Sequence, residues 1–89
     1  MFVPTLLHPR SRGTVELRSA HPGDFPRIQP NFLSFDEDYQ PLIEGVRIAR
    51  EVARQPALSR WLGEELFPGP KIADEAAMRG YIRNVAGTF

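Results

Sequence analysis

Thr14-Val15-Glu16-Leu17-Arg18-Ser19 alternates strictly, with Val15 and Leu17 on one side of an extended chain and Thr14, Glu16 and Arg18 on the other. The stretch reads as a strand, and the helical patterns that follow it make the fold α+β. Upstream, Phe2-Val3-Pro4-Thr5-Leu6-Leu7 is short and apolar enough for another strand, which Pro4 confines to an edge or to the strand's first residues, and which ends at His8-Pro9. Two strands alone are not stable in water, and neither has an obvious third partner. The expectation is therefore short antiparallel strands that belong to a larger sheet, packed with about three helices.

Downstream, residues 20–34 carry turn chemistry at Pro22-Gly23-Asp24 and then Pro26 and Pro30, which forbids a long regular element and leaves an extended loop. Ile28, Phe32 and Leu33 give this loop apolar anchors. Ser34-Phe35-Asp36-Glu37 reads as a capping box, with serine at the cap and glutamate three residues on. The helix it opens has Phe35, Tyr39, Leu42, Val46, Ala49 and Val52 or Ala53 on one face, spaced alternately by four and three. Pro41 conflicts with an unbroken helix, so the element splits into a first turn over 35–39 and a main helix from Pro41 to about Arg54. Gly45 within it points to close approach by a neighbour.

Gln55-Pro56 stops that helix, residues 57–62 suffice for a short second one closing at Gly63, and 64–70 are loop with a rigid turn at Phe67-Pro68-Gly69-Pro70. Asp74 caps a third helix, which carries Ala77, Met78, Tyr81, Ile82 and Val85 on one side and fades at Gly87. No internal repeat or interdomain linker interrupts the chain.

At 89 residues and 10.1 kDa the chain has room for one core, so residues 1–89 form a single unit. Area scaling gives a compact fold of this mass about 5,300 Å² of surface, a marginal size that a partner surface would help. A hydrophobic fraction of 42% with 25% charged residues is globular composition. Eleven basic residues offset eleven acidic ones, so no long-range field points to nucleic acid or an anionic membrane. Without cysteine there are no disulfides, thiolate metal sites or thiol nucleophiles. No charge-free apolar run reaches the roughly 18 residues a membrane span needs, and the N-terminus lacks a signal peptide's features. The expected location is cytoplasmic.

Chemistry-bearing residues are sparse. His8 and His21 lie far apart in turn-like sequence without metal-pair spacing. Asp36, Glu37 and Asp38 form one acidic cluster, which the first turn of a helix explains without a bound cation. Glu64 and Glu65 read as a solvated pair. Trp61, Phe67 and Tyr81 read as core aromatics, with an interface as the other use of such residues. The glycines fit no phosphate-cradling pattern. The residues by themselves supply no catalytic set and no metal site.

Read as a string, His8-Pro9-Arg10-Ser11-Arg12-Gly13-Thr14-Val15-Glu16-Leu17-Arg18-Ser19, then Pro22, Pro26 and Ile28-Gln29-Pro30-Asn31-Phe32-Leu33, resembles the C-terminal domain of glucose-methanol-choline (GMC) oxidoreductases. Asp36-Glu37-Asp38, Glu44-Gly45-Val46-Arg47-Ile48-Ala49-Arg50, Gln55-Pro56-Ala57-Leu58, Glu65-Leu66-Phe67-Pro68-Gly69-Pro70 and Tyr81-Ile82-Arg83 follow in the family's order. The similarity covers nearly all the chain and looks nearest to the choline dehydrogenase and alcohol dehydrogenase branch. Pro41 is a departure within the family's helix.

The resemblance implies a partial C-terminal, substrate-binding domain of an enzyme that oxidises alcohols by passing a hydride to FAD. FAD is then a cofactor of the parent enzyme, with none expected on this chain alone. Val85-Ala86-Gly87-Thr88-Phe89 is similar to the stretch before the family's catalytic histidine. That makes Phe89 the expected edge of the substrate pocket, leaves the base and flavin site outside these residues, and gives neither His8 nor His21 the catalytic position. The implied partner is the remainder of the parent flavoenzyme, and exposed sheet edges also allow a homodimer. The alternative is a small self-associating or protein-binding module without enzymatic activity.

Overall fold

Helix α1 (Tyr39–Arg54) and helix α3 (Glu75–Val85) pack together to form the core of the protein, in a computed structural model that describes residues 1–87. Tyr39 from α1 and Met78 and Ile82 from α3 are buried, and Leu33, Leu42, Ile43, Val46, Ile72 and Tyr81 pack partly buried around them. Tyr39, Leu42 and Val46 are the middle of the four-and-three stripe expected from the sequence; Ile43 joins them, while Phe35 and Val52 at the ends of that stripe are exposed. The Asp74 carboxylate caps α3 by accepting from the Ala77 amide at 2.8 Å, also as expected.

Before α1, residues Asp36–Asp38 make a 3-10 turn, and α1 then runs on from Tyr39. Pro41 falls in the helix's first turn, where its missing N–H would have had no intrahelical partner, so the helix tolerates it. The capping box is not formed. Phe35 occupies the cap position, no side chain caps the turn, and Ser34 lies one residue outside it. Helix α2 is a single turn, Pro56–Ser59, that starts on its proline and stops short of the expected residues 60–62.

Strands β1 (Thr14–Glu16) and β2 (Arg27–Gln29) pair antiparallel, with Thr14 opposite Gln29, Val15 opposite Ile28 and Glu16 opposite Arg27. β1 is the first half of the strand read from the sequence over residues 14–19; Leu17 leaves the ladder and residues 18–20 bend into the turn. The partner of β1 refines the extended loop expected over residues 20–34: no long element forms there, but β2 fits in the three residues between Pro26 and Pro30. Gly13 enters this hairpin so close to β2 that a Cβ there would sit 2.1 Å from the Gln29 carbonyl oxygen. Asn31 and Leu33 both turn the chain through positive φ, at 53° and 56°. The Leu33 side chain thereby reaches the core behind the hairpin.

Residues 2–7 form no strand. Pro4 instead covers α1 at Gly45, where a Cβ would meet the Pro4 Cβ at 2.7 Å. The close approach expected at Gly45 is thus made by the N-terminal segment.

The hairpin packs against none of the helices, and all six of its strand residues are exposed. The body is accordingly long, 58 × 26 × 22 Å, with a radius of gyration of 17.2 Å, where a compact chain of this length has about 12 Å. Its surface is 7579 Å². Among the described residues no helix is long and apolar enough to cross a membrane.

Candidate functional site

Three polar clusters hold the chain's loops to the helical body. The first joins residues 10 and 11 to the end of the 3-10 turn. Asp38 is 4% exposed, and its carboxylate accepts from the Arg10 amide at 2.7 Å, the Ser11 amide at 2.8 Å and the Ser11 hydroxyl. The same hydroxyl accepts from the Phe35 amide at 3.1 Å, which closes a neck between Ser11 and residues 35–38. These bonds, led by that from the Ser11 hydroxyl and followed by the Arg10 amide, hold the Asp38 pKa below its ordinary value. Outside the neck, the Arg10 guanidinium pairs with Glu37 at 2.6 Å and lies over the Phe35 ring.

The second cluster centres on Arg50. Its guanidinium donates to both oxygens of Glu65, with distances of 2.7–3.1 Å, and to the carbonyls of Gly69 at 3.1 Å and Ile72 at 2.9 Å. Glu65 also accepts from the Gly69 amide at 3.2 Å. The Arg50 bonds lower the Glu65 pKa and outweigh the opposing effect of burial. One side chain of α1 thus organises a segment that has no helix or strand of its own, including a cis peptide bond at Phe67-Pro68 and a positive φ of 93° at Gly69.

In the third, Arg79 of α3 lies over the Tyr39 ring and pairs with Asp36. A shallow cleft of about 440 Å³ opens beside it, lined by Ser34, Asp36, Tyr39, Arg79 and Arg83. A smaller one of about 180 Å³ lies between α1 and the start of α3.

A general base works best with a pKa near the operating pH. Asp38 and Glu65 are displaced the other way, to firmly ionised carboxylates with their lone pairs engaged, so they serve as anchors. The acidic cluster keeps its expected place at the start of a helix, but each acid has its own cation or amide partner. Glu64 and Glu65 are not a solvated pair, because Arg50 takes Glu65. Trp61 and Phe67 are exposed at 75% and 81% and only Tyr81 joins the core, which corrects the reading of all three as core aromatics. His8 and His21 are both exposed. His21 Nδ1 accepts from the Gly23 amide at 3.1 Å inside the turn before β2. No group of three metal-binding side chains exists among the described residues. Phe89, the expected pocket-edge residue, lies outside the described residues.

The sequence reading missed Ser11 and Arg50. Arg50 had a signal: it stands seven residues after Ile43 and four after Val46, a charge at the margin of an apolar stripe, where an unpaired guanidinium would be costly. Ser11 had none, because its partner is set by tertiary contact.

A family model described as GMC oxidoreductase matches residues 9–89. Choline oxidase from Arthrobacter globiformis is 40% identical over 89 positions, which cover 98% of this chain and 16% of the relative. An oxygen-dependent choline dehydrogenase from Pseudomonas aeruginosa (strain LESB58) is 40% identical over 78 residues, covering 88% and 14%. Alcohol dehydrogenase [acceptor] from Pseudomonas putida is 38% identical over 83 residues, covering 93% and 15%. The chain spans about one-sixth of the length of these relatives.

Proposed function

The chain belongs to the GMC oxidoreductase family, and from that premise we propose that it is part of the substrate-binding domain of an FAD-dependent alcohol oxidoreductase of the choline and alcohol dehydrogenase kind. The observation that carries this reading is near-complete coverage of the chain, at 40% identity, by one-sixth of a choline oxidase. In the parent the flavin takes the hydride and the protein positions cofactor and substrate. The residues of this chain contribute architecture to that work: Asp38 and Arg50 hold their loops in place, and Phe89 closes one edge of the alcohol pocket. FAD and the catalytic histidine belong to the remainder of a cytoplasmic parent enzyme, which is this chain's partner, and the chain alone is inactive. The lowered pKa values of Asp38 and Glu65 support the inactivity, since neither carboxylate is poised to take a proton from an alcohol.

The test is a spectrum and an assay. The purified chain is expected to show no flavin absorbance after incubation with FAD and no oxidation of choline or simple alcohols. Stoichiometric bound flavin, or turnover, would overturn the reading. Sequencing the surrounding gene supplies the positive arm: an open frame with a glycine-rich dinucleotide fingerprint upstream and a histidine codon soon after Phe89 is expected.

A second reading, a self-associating or protein-binding module without enzymatic activity, is favoured by the hairpin that no helix covers. A stop codon directly after Phe89 together with a specific oligomer would support it over the first.

A further inference from the structure

Between residues 58 and 67 five large apolar side chains meet water: Leu58, Trp61, Leu62, Leu66 and Phe67. Three of them are the most open, Trp61 at 75%, Leu66 at 77% and Phe67 at 81%. Single exposed apolar residues are ordinary on a protein surface, but a run this dense marks a face that another surface covers. Tryptophan and phenylalanine are enriched in the cores of interfaces, which is the second use that the sequence allows for Trp61 and Phe67.

The backbone under Leu66 and Phe67 is clamped. On one side of them the Arg50 guanidinium holds Glu65 at 2.7 Å, and on the other it holds the Gly69 carbonyl at 3.1 Å. The Glu65 carboxylate also takes the Gly69 amide at 3.2 Å, which joins the two feet to each other. Leu66 and Phe67 therefore stand on an arch tied to α1, and the arginine that ties it is only 20% exposed. An unclamped loop would let both side chains fold back over the helices. Ordering a loop before it binds removes part of the entropy cost of binding, so the clamp prepares these two side chains for a surface.

Length decides which surface that is. The match to the relatives runs through 88–98% of this chain and only 14–16% of theirs, so the corresponding part of each relative is continuous with about five times as much further polypeptide. A tethered surface acts at an effective concentration of about millimolar, whereas a separate molecule acts only at its own concentration in solution. The area is also sufficient. The chain's 7579 Å² exceeds by roughly 2,300 Å² what scaling gives a compact fold of its mass. An interface between two parts of one polypeptide takes about 600–1,500 Å².

We propose that Trp61, Leu66 and Phe67 dock this part of the enzyme into an apolar surface of the remainder of the same parent polypeptide, with Arg50 as the residue that presents them. The docking rests on the flavoenzyme reading above. The two fail separately: a parent that binds no flavin overturns that reading alone, and a flavin-loaded parent in which these side chains stay open overturns the docking alone. A stop codon directly after Phe89 overturns both.

Hydroxyl-radical footprinting read by mass spectrometry tests the docking, on the 89-residue chain and on the parent enzyme expressed from the surrounding gene. Oxidation of Trp61, Leu66 and Phe67 is expected to be at least about fivefold slower in the parent, as for side chains moved from open water to an interface core. The protection is expected to be the same at about 1 and about 20 µM parent, because a tethered partner does not dilute. Phe67→Asp is the second arm. It is expected to leave the urea midpoint of the 89-residue chain unchanged, since Phe67 is exposed there, and to lower the melting temperature of the parent by several degrees. Equal oxidation in chain and parent overturns the proposal. So does protection that grows with parent concentration, which would assign the face to a second copy. A Phe67→Asp chain that is itself destabilised, or a Phe67→Asp parent as stable as the original, also overturns it.

Discussion

The helical body and the hairpin are built from equally clear patterns and reach opposite ends. Across α1 and α3 the apolar residues nearest the contact cover one another, although Ile48, Val52 and Val85 stay exposed, and the carboxylates nearest the core, Asp38 and Glu65, find amides, a hydroxyl or a guanidinium. In the hairpin the alternation is just as regular, yet Val15 and Ile28 sit side by side facing solvent. A binary pattern fixes which face of an element must be covered; it does not say that the same chain does the covering. The body answers that question internally, and among the described residues nothing answers it for the hairpin.

Substitutions of falling severity break or sharpen this contrast. Ile82→Ala empties a buried position between α3 and α1 and is expected to cost about 2–4 kcal/mol in urea unfolding followed by helical circular dichroism. A loss under about 1 kcal/mol would mean that the body is no better packed than the hairpin. Arg50→Ala strips four acceptors of their donor and is expected to cost about 1–3 kcal/mol, less than a fully buried pair would because Glu65 keeps some contact with water. Arg50→Lys is expected to recover only part of this, since an ammonium cannot present the planar fork that Glu65 and two carbonyls share.

Acid titration probes the same anchors. Both lowered carboxylates bind fewer protons folded than unfolded at a given pH, so the stability they give is complete above their ordinary values of 3.8 for Asp38 and 4.5 for Glu65. It is expected to be lost as the pH falls below those values through the lowered folded ones. Unfolding profiles from pH 7 to about 2 check this, and in Arg50→Ala the part due to Glu65 should disappear. Ile28→Ser is the smallest change expected, within about 0.5 kcal/mol for the monomer at high dilution, because an exposed side chain there has nothing to leave. A large effect on the monomer would show that the hairpin is already covered from within.

Legibility in the sequence follows the distance over which each feature is decided. The α1 stripe, the Asp74 cap, the stop at Gln55-Pro56 and strand β1 are settled within a few residues by periodicity and local hydrogen bonding, and all were readable. β2 was not, because prolines on both sides mask a strand only three residues long. The stretch 2–7 has a strand's composition but is claimed by the helix surface at Gly45, an outcome of tertiary position alone. The same holds for the anchors. Asp38 was legible as an acid at a helix start, and its partner Ser11, 27 residues away, was not. The family pattern supplied the remaining functional reading, which no single residue in the chain could carry.

The neck at Ser11, Phe35 and Asp38 makes the hairpin a detachable part. The chain leaves the body at Ser11 and re-enters at Phe35, and one serine hydroxyl touches both the outgoing and the returning strand of the excursion. For protein engineering that is a graft point: residues 12–32 are exchangeable for another hairpin with another edge, while Leu33 stays because it packs on the core that the helices share.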